Sequence, residues 1–319
     1  MLKDKVYQMF ILGTGSELDN ALKNNLGGVI FFTKDIQSEN QFKSLIQNIK
    51  IMSKTQPFLS IDQEGGKVER TENIHSRYLS PKFAFEKGSK FLYNQSIKIA
   101  SELCSYGLNM NFAPCIDVNS NPNNPIIGER AFSDNPDEVC HGFDLTAPIY
   151  SKFGIIPVIK HFPGHGDADK DSHKELPIID LSLQEMEDVH IYPFKYAVNK
   201  GADAVMVAHL NCSCFGERGV PTSLSKNCIT YLRDTLGFNG VVVSDDMVMN
   251  GLSGYDEKEA CILGIKAGIN LFIYREANEK TLDIIEYIVS VAERDNDLLR
   301  NIEISYDKIL NLKQKYSIV

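Results

Sequence analysis

Eight short runs of β-branched, aromatic and other apolar residues recur along the chain. Each leads through a polar turn into a stretch with apolar residues three and four apart. The runs are Val6–Leu12, Gly28–Phe32, Pro57–Ile61, Asn109–Ala113, Ile155–Ile159, Ala204–Val207, Gly240–Val243 and Ile269–Ile273. Between them, sets such as Phe42, Leu45, Ile46, Ile49 and Tyr93, Ile97, Ala100, Cys104 line one face of a helix. Strands alternating with helices imply a parallel sheet with right-handed crossovers, and eight such units close into a (β/α)8 TIM barrel of the α/β class. A doubly wound open sheet is the structural alternative, but no GxGxxG or GxxxxGK[ST] opens any helix. The tail from Lys280 reads as two helices, Leu282–Arg294 and Leu298–Tyr316. With no internal repeat and no Ser/Gly/Pro linker, the expectation is one barrel domain over 1–319, with helices in 280–319 packed on it.

Composition narrows the function classes. The 319 residues carry 33 Lys and Arg against 42 Asp and Glu, a net charge of −9, with no basic run, which argues against a nucleic-acid partner. The N-terminal apolar stretch is too short for a signal peptide and lacks a small-residue cleavage site. No window approaches the roughly 18 consecutive apolar residues of a membrane span. Seven scattered Cys without a CxxC suggest neither a disulfide framework nor a structural zinc site. A cytoplasmic, monomeric protein is expected, with no membrane, metal or cofactor requirement.

Chemistry in such barrels sits at the C-terminal ends of the strands. Those positions hold Asp62 with Glu64, Asp117, Lys160 with His161, His209, and Asp245 with Asp246. Each alone reads as a capped turn or a structural ion pair; five coincident strand ends point to a shared pocket. Two connections are unusually long, Pro114–Asp134 and His161–Asp180. The second belongs to KHFPGHGDADKDSHKELP, Lys160 to Pro177, which holds three of the seven His residues. Gly164 and Gly166 allow this segment to fold over a pocket as a lid. Asp171 and His173, two apart, share one face if the segment is extended; the spacing alone reads as a loop-anchoring contact, while a carboxylate beside an imidazole also fixes its tautomer and raises its pKa towards neutrality, as suits a residue that gives and recovers a proton. In VVVSDDMVM, Asp245 is the first carboxylate past the strand, placed as a nucleophile or metal ligand, while Asp246 suits a capping role.

Four segments taken together, IDQEGGKVER (Ile61–Arg70), APCIDVNSNPNNPIIGERAF (Ala113–Phe132), KHFPGHGDADKDSH (Lys160–His173) and VVVSDDMVM, resemble the family 3 glycoside hydrolases, in order and over roughly Val6 to Tyr274. Within that family the resemblance is to single-domain bacterial β-N-acetylglucosaminidases of peptidoglycan recycling. It implies that Asp245 is the nucleophile of a retaining reaction and that His173, supported by Asp171, is the acid/base. It also implies that Asp62, Arg70, Arg130, Lys160 and His161 grip the sugar. Lys67 stands where relatives often carry Arg. Other family members place a carboxylic acid in a second domain, for which this chain has no room.

Retaining glycosidases usually pair two carboxyl groups. A neutral imidazole in place of one would not repel the lactyl carboxylate of a muramyl leaving sugar, nor an acceptor such as phosphate, so phosphorolysis beside hydrolysis is a further expectation. Arg70, Arg130 and Lys160 are expected to supply a positive field for a substrate carboxylate. The absence of Trp removes the commonest sugar-stacking platform and favours exo action on short saccharides or muropeptides. The rival reading is a metal-dependent hydrolase with His161, His165, His173, His209 and Asp245 as ligands. A catalytically dead sugar-binding barrel would need the grips but not the acid and the nucleophile.

Overall fold

The computed structural model describes residues 1–170 and 176–319. Its core is a closed barrel of parallel strands: β1 (Phe10–Leu12), β2 (Gly28–Phe31), β3 (Phe58–Ile61), β4 (Met110–Asn111), β5 (Ile156–Phe162), β6 (Ala204–Val207), β7 (Val241–Asp246) and β8 (Leu271–Tyr274). Each strand pairs with its neighbours in chain order, and β8 closes on β1 in the register Phe10 to Phe272. The expected (β/α)8 barrel is therefore the fold. All four residues of β2, β3, β6 and β8 are buried, as strands covered on both faces must be.

Helices form where apolar periodicity meets a capping side chain. Ser38 accepts from Gln41 N at the start of Glu39–Met52, which buries Phe42, Ile46 and Ile49 against the barrel. Asn135 caps Pro136–Lys152, and Pro136 falls in the first turn where no N–H is needed. The two tail helices span Glu279–Ala292 and Asn296–Lys315; each begins ahead of its expected start because Asn278 and Asp295 are the caps.

The first expected strand is corrected. Val6–Leu12 divides into a helix, Leu2–Gln8, and the three-residue β1. Short apolar runs have no period of their own, and here the helix buries Val6 and Tyr7 while packing on both tail helices. The fifth and seventh strands run longer than expected, so Lys160, His161, Asp245 and Asp246 are the last residues of strands rather than the first of loops. Among the described residues no helix is long and apolar enough to cross a membrane.

Candidate active site

The C-terminal mouth of the barrel opens into a cavity of about 580 Å³. Asp62, Arg70, Arg130, Lys160, His161 and Asp245 all line it, so six expected site residues from distant parts of the chain meet in one place. Asp171 and His173 lie outside the described residues.

One wall is a saturated charge cluster. Strand alternation after β3 turns Asp62 and Glu64 towards Lys160, whose Nζ lies 2.7 Å from Asp62 Oδ1 and 2.6 Å from Glu64 Oε1. Arg130, on the turn Gly128–Arg130, grips Glu64 as a fork, with Nε 2.9 Å from Oε2 and a terminal nitrogen 2.8 Å from Oε1. Burial alone would push the Glu64 carboxyl up, but Arg130 and Lys160 hold it well below the usual carboxylate range. Burial likewise opposes the Lys160 ammonium, and Asp62 and Glu64 raise its pKa above the ordinary value.

This corrects the positive field expected of three cations. Arg130 and Lys160 are engaged by Glu64 and Asp62, and nothing in the sequence says which cation the strand-end Glu64 meets. Arg70 has no ion pair among the described residues; its guanidinium lies over the Phe32 ring, 5.8 Å from the centroid.

A second cluster fixes His161. Asp117, fully buried in the loop after β4, takes the His161 Nδ1 hydrogen at 2.6 Å, the His161 backbone N–H at 3.1 Å and the His165 backbone N–H at 2.6 Å. Arg130 can only donate, so the His161 Nε2 that it approaches at 3.2 Å is the acceptor and the ring hydrogen sits on Nδ1. Burial disfavours the Asp117 charge, yet His161 and His165 hold its pKa far below normal. Burial pushes His165 down to about 4.

Asp245 ends β7 across the cavity. Burial would raise its pKa, but the electrostatic pull of His161, His209 and Lys160, and the Asp246 N–H at 2.8 Å from Oδ1, bring it below the ordinary value. Among the described residues it has no ion pair. Asp246 beside it faces Arg275 at 2.5 Å and accepts from Val248 N at 3.2 Å, a turn-closing role in keeping with its expected part as a cap. His209, fully buried, meets Ser223 Oγ through Nδ1 at 2.6 Å and donates from Nε2 to the Asp246 carbonyl at 3.1 Å, so it buttresses the strand end that carries Asp245.

These contacts do not bring the ligand set of the metal-dependent alternative together among the described residues. Among the described residues the only group of three or more His, Cys, Asp and Glu with ligand atoms within 4.8 Å of one another is Cys115, Asp117 and His161. It includes neither His165, His209 nor Asp245, and it is already hydrogen-bonded within itself. His173, the remaining ligand of that set, lies outside the described residues.

The expected lid is also corrected over its first part. Residues from Lys160 to Gly166 are buried, and Asp117 pins two of their N–H groups. A Cβ on Gly166 would stand 1.6 Å from the Val118 carbonyl oxygen, and Gly164, at φ +124°, lies against His190. These glycines serve close packing at the mouth of the barrel.

A parallel eight-stranded barrel whose C-terminal mouth is crowded with titratable groups, one of them an aspartate with no ion pair among the described residues, defines an enzyme-class barrel rather than a structural one. The glycosyl hydrolase family 3 N-terminal domain matches residues 1–312, and the chain belongs to that family. It is 31% identical over 300 residues to beta-hexosaminidase A of Pseudoalteromonas piscicida, covering 87% of this chain and 50% of that protein. It is 33% identical over 251 residues to the beta-hexosaminidase of Psychromonas ingrahamii, covering 75% and 73%. The family 3 beta-N-acetylglucosaminidase of Paenibacillus sp. str. FPU-7 superposes with a TM-score of 0.94 at 29% identity, over 100% of this chain and 63% of that one. The chain thus spans half the length of the Pseudoalteromonas relative and under two thirds of the Paenibacillus one. The beta-N-acetylhexosaminidase of Beutenbergia cavernae shares the fold over nearly its whole length, with 98% of each chain covered and a TM-score of 0.92.

Proposed function

We propose that the protein is a retaining exo-β-N-acetylglucosaminidase that removes terminal N-acetylglucosamine from peptidoglycan-derived muropeptides in the cytoplasm. The observation that carries the reading is Asp245. It is a carboxylate kept ionised in a cavity, facing that space without an ion pair among the described residues. Such a group attacks an anomeric carbon without first shedding a counter-ion. The names of the relatives supply the amino sugar.

In this reading Asp245 forms the covalent glycosyl-enzyme, and His173 with Asp171 protonates the leaving oxygen and then activates water. Asp62, Glu64, Lys160 and Arg130 form a prepaid polar wall, since two carboxylates match two cations and the sugar hydroxyls need only replace water. His161 presents the ring edge that Asp117 and Arg130 have oriented. Arg70, the cation of the wall left without an ion pair among the described residues, takes a substrate oxygen.

A cavity of about 580 Å³ suits one sugar ring with part of its neighbour, which favours exo cleavage of short substrates. The apolar side chains of Ile30, Val68, Met206 and Ile273 that line the same cavity suit an acetamido methyl. All seven cysteines are free thiols, in keeping with a reducing compartment.

Hydrolysis of an aryl β-N-acetylglucosaminide, with the aryl β-glucoside as control and excess EDTA present, tests the reading. Turnover of the first substrate alone is expected. Loss of turnover in EDTA with recovery on adding zinc would replace it by the metal-dependent one. The same assay in phosphate buffer decides phosphorolysis, which fails if no sugar phosphate forms.

A further inference from the structure

In the loop after β3, next to Arg70, lies a buried carboxylate that does not line the cavity. We propose that Glu69 is a positioning residue for Arg70, acting through the side-chain amide of Gln63. The proposal rests on the reading of Arg70 as a substrate-binding residue.

Gln63 is 1% exposed, and its backbone is clamped by Asn111 of β4, whose Oδ1 accepts the Gln63 N–H at 3.0 Å and whose Nδ2 donates to the Gln63 carbonyl at 3.0 Å. Its side-chain Oε1 accepts the backbone N–H of Arg70 at 2.8 Å and that of Thr71 at 3.4 Å. Its Nε2 donates to Glu69 Oε1. Glu69, 4% exposed, also accepts from the Thr71 hydroxyl at 3.1 Å and, on its other oxygen, from Tyr78 N–H at 3.1 Å.

Gln63 and Tyr78 each point an N–H at Glu69, one at each oxygen, so both oxygens act as acceptors, as those of a carboxylate do. That requirement sets the direction of the Gln63 amide. A flipped amide would turn its oxygen on the Glu69 carboxylate and its NH2 on the N–H groups of Arg70 and Thr71, which places like against like at both ends. Glu69 therefore decides which way Gln63 faces, and Gln63 holds the backbone from which the Arg70 side chain reaches the cavity. Burial makes the arrangement consequential, because no water stands ready to replace a lost partner.

Glu69→Gln breaks this pattern, since an amide cannot accept at both ends. The exchanged pair, Gln63→Glu with Glu69→Gln, rebuilds it: Glu at 63 accepts from Arg70 and Thr71, and Gln at 69 donates to it while its oxygen faces Tyr78 N–H. Amide hydrogen exchange of Arg70 and Thr71 needs no substrate and reads the link directly. E69Q is expected to speed their exchange about tenfold, and the exchanged pair to return it to the wild-type rate.

In the glycosidase assay E69Q is expected to raise KM about tenfold with kcat changed by less than about twofold, and to add nothing in an Arg70→Ala background. Unchanged exchange in E69Q, a full E69Q effect in the R70A background, or failure of the exchanged pair to restore KM would each overturn the proposal. Should E69Q not fold, the exchanged pair carries the test: wild-type exchange rates are expected, and fast exchange in a folded protein overturns it. A wild-type protein without N-acetylglucosaminidase turnover, or an R70A variant with an unaltered KM, would overturn the reading of the site, while the exchange experiment would still decide the role of Glu69.

Discussion

Two lysines are buried at opposite ends of the barrel, and they are treated oppositely. Lys160, at the C-terminal mouth, lies between Asp62 and Glu64, and its pKa is raised although burial opposes its charge. Lys313, on the last helix, plugs the N-terminal end. Its Nζ donates to Gln8 Oε1 at 2.7 Å and lies over the Phe58 ring, 4.9 Å from the centroid. Both are essentially inaccessible, at 2% and 0% exposure. With a neutral amide and an aromatic face as its partners among the described residues, Lys313 is pushed by burial down to about 7. The contrast teaches where this fold places charge for use. At the mouth, counter-charges keep a polar wall ionised and ready; at the base the same side chain is a liability to stability.

The sharpest test at the mouth is Asp245→Asn. Loss of the carboxylate is expected to lower kcat on an aryl β-N-acetylglucosaminide about 10⁴-fold with the unfolding midpoint nearly unchanged. A fall of less than about 100-fold would remove Asp245 from the role of nucleophile.

Lys160→Met strips the common partner from two carboxylates. Breaking such a buried network costs about 3–5 kcal/mol, measured by urea unfolding at neutral pH. A cost below about 1 kcal/mol would mean that the mouth is not charge-coupled and would erase the contrast.

Lys313→Met should do the reverse and stabilise the fold at pH 6 by about 1–3 kcal/mol, because an uncompensated charge is replaced by an apolar chain of similar length. The pH dependence follows from the depressed pKa. Between about 7 and the ordinary lysine value near 10.5 the unfolded chain binds more protons than the folded one, so wild-type stability rises with pH through that window. The advantage of K313M should shrink over the same range. A gain that stays constant from pH 6 to 10 would show that Lys313 is not titrating there.

His165 gives the smallest effect. Its pKa falls from 6.5 to about 4 in the folded protein, so stability should decline as pH drops through that interval, by up to about 1 kcal/mol per pH unit. His165→Asn should flatten that slope. An identical acid slope in variant and wild type would assign it to other groups.

The barrel was legible in the order of its runs, because a strand covered on both faces must be apolar throughout and a helix lying on it must be apolar on one side. Its edges were not. Val6–Leu12 reads as one strand, and contact with the two tail helices separates the helix Leu2–Gln8 from β1. Strand ends identified Asp62, Lys160, His161 and Asp245 as neighbours, since the C-terminal mouth gathers them whatever lies between. Their pairings were hidden. Nothing local to Glu64 says that Arg130, 66 residues on, will grip it, or that Asp117 will hold both His161 and His165. Lys313 gave no signal at all, because in sequence it is one of several lysines in a charged helical tail.

The sequence by itself determined the alternation that closes a parallel barrel and the residue types at its mouth, both of which are set by covalent order and local period. Only the tertiary structure decided which charges cancel and which stay available, leaving Asp245 and Arg70 without ion pairs among the described residues while Arg130 and Lys160 are neutralised. The physical reason is that the energy of a charge depends on burial and on partners a few ångströms away, and those partners come from strands and loops that are remote along the chain.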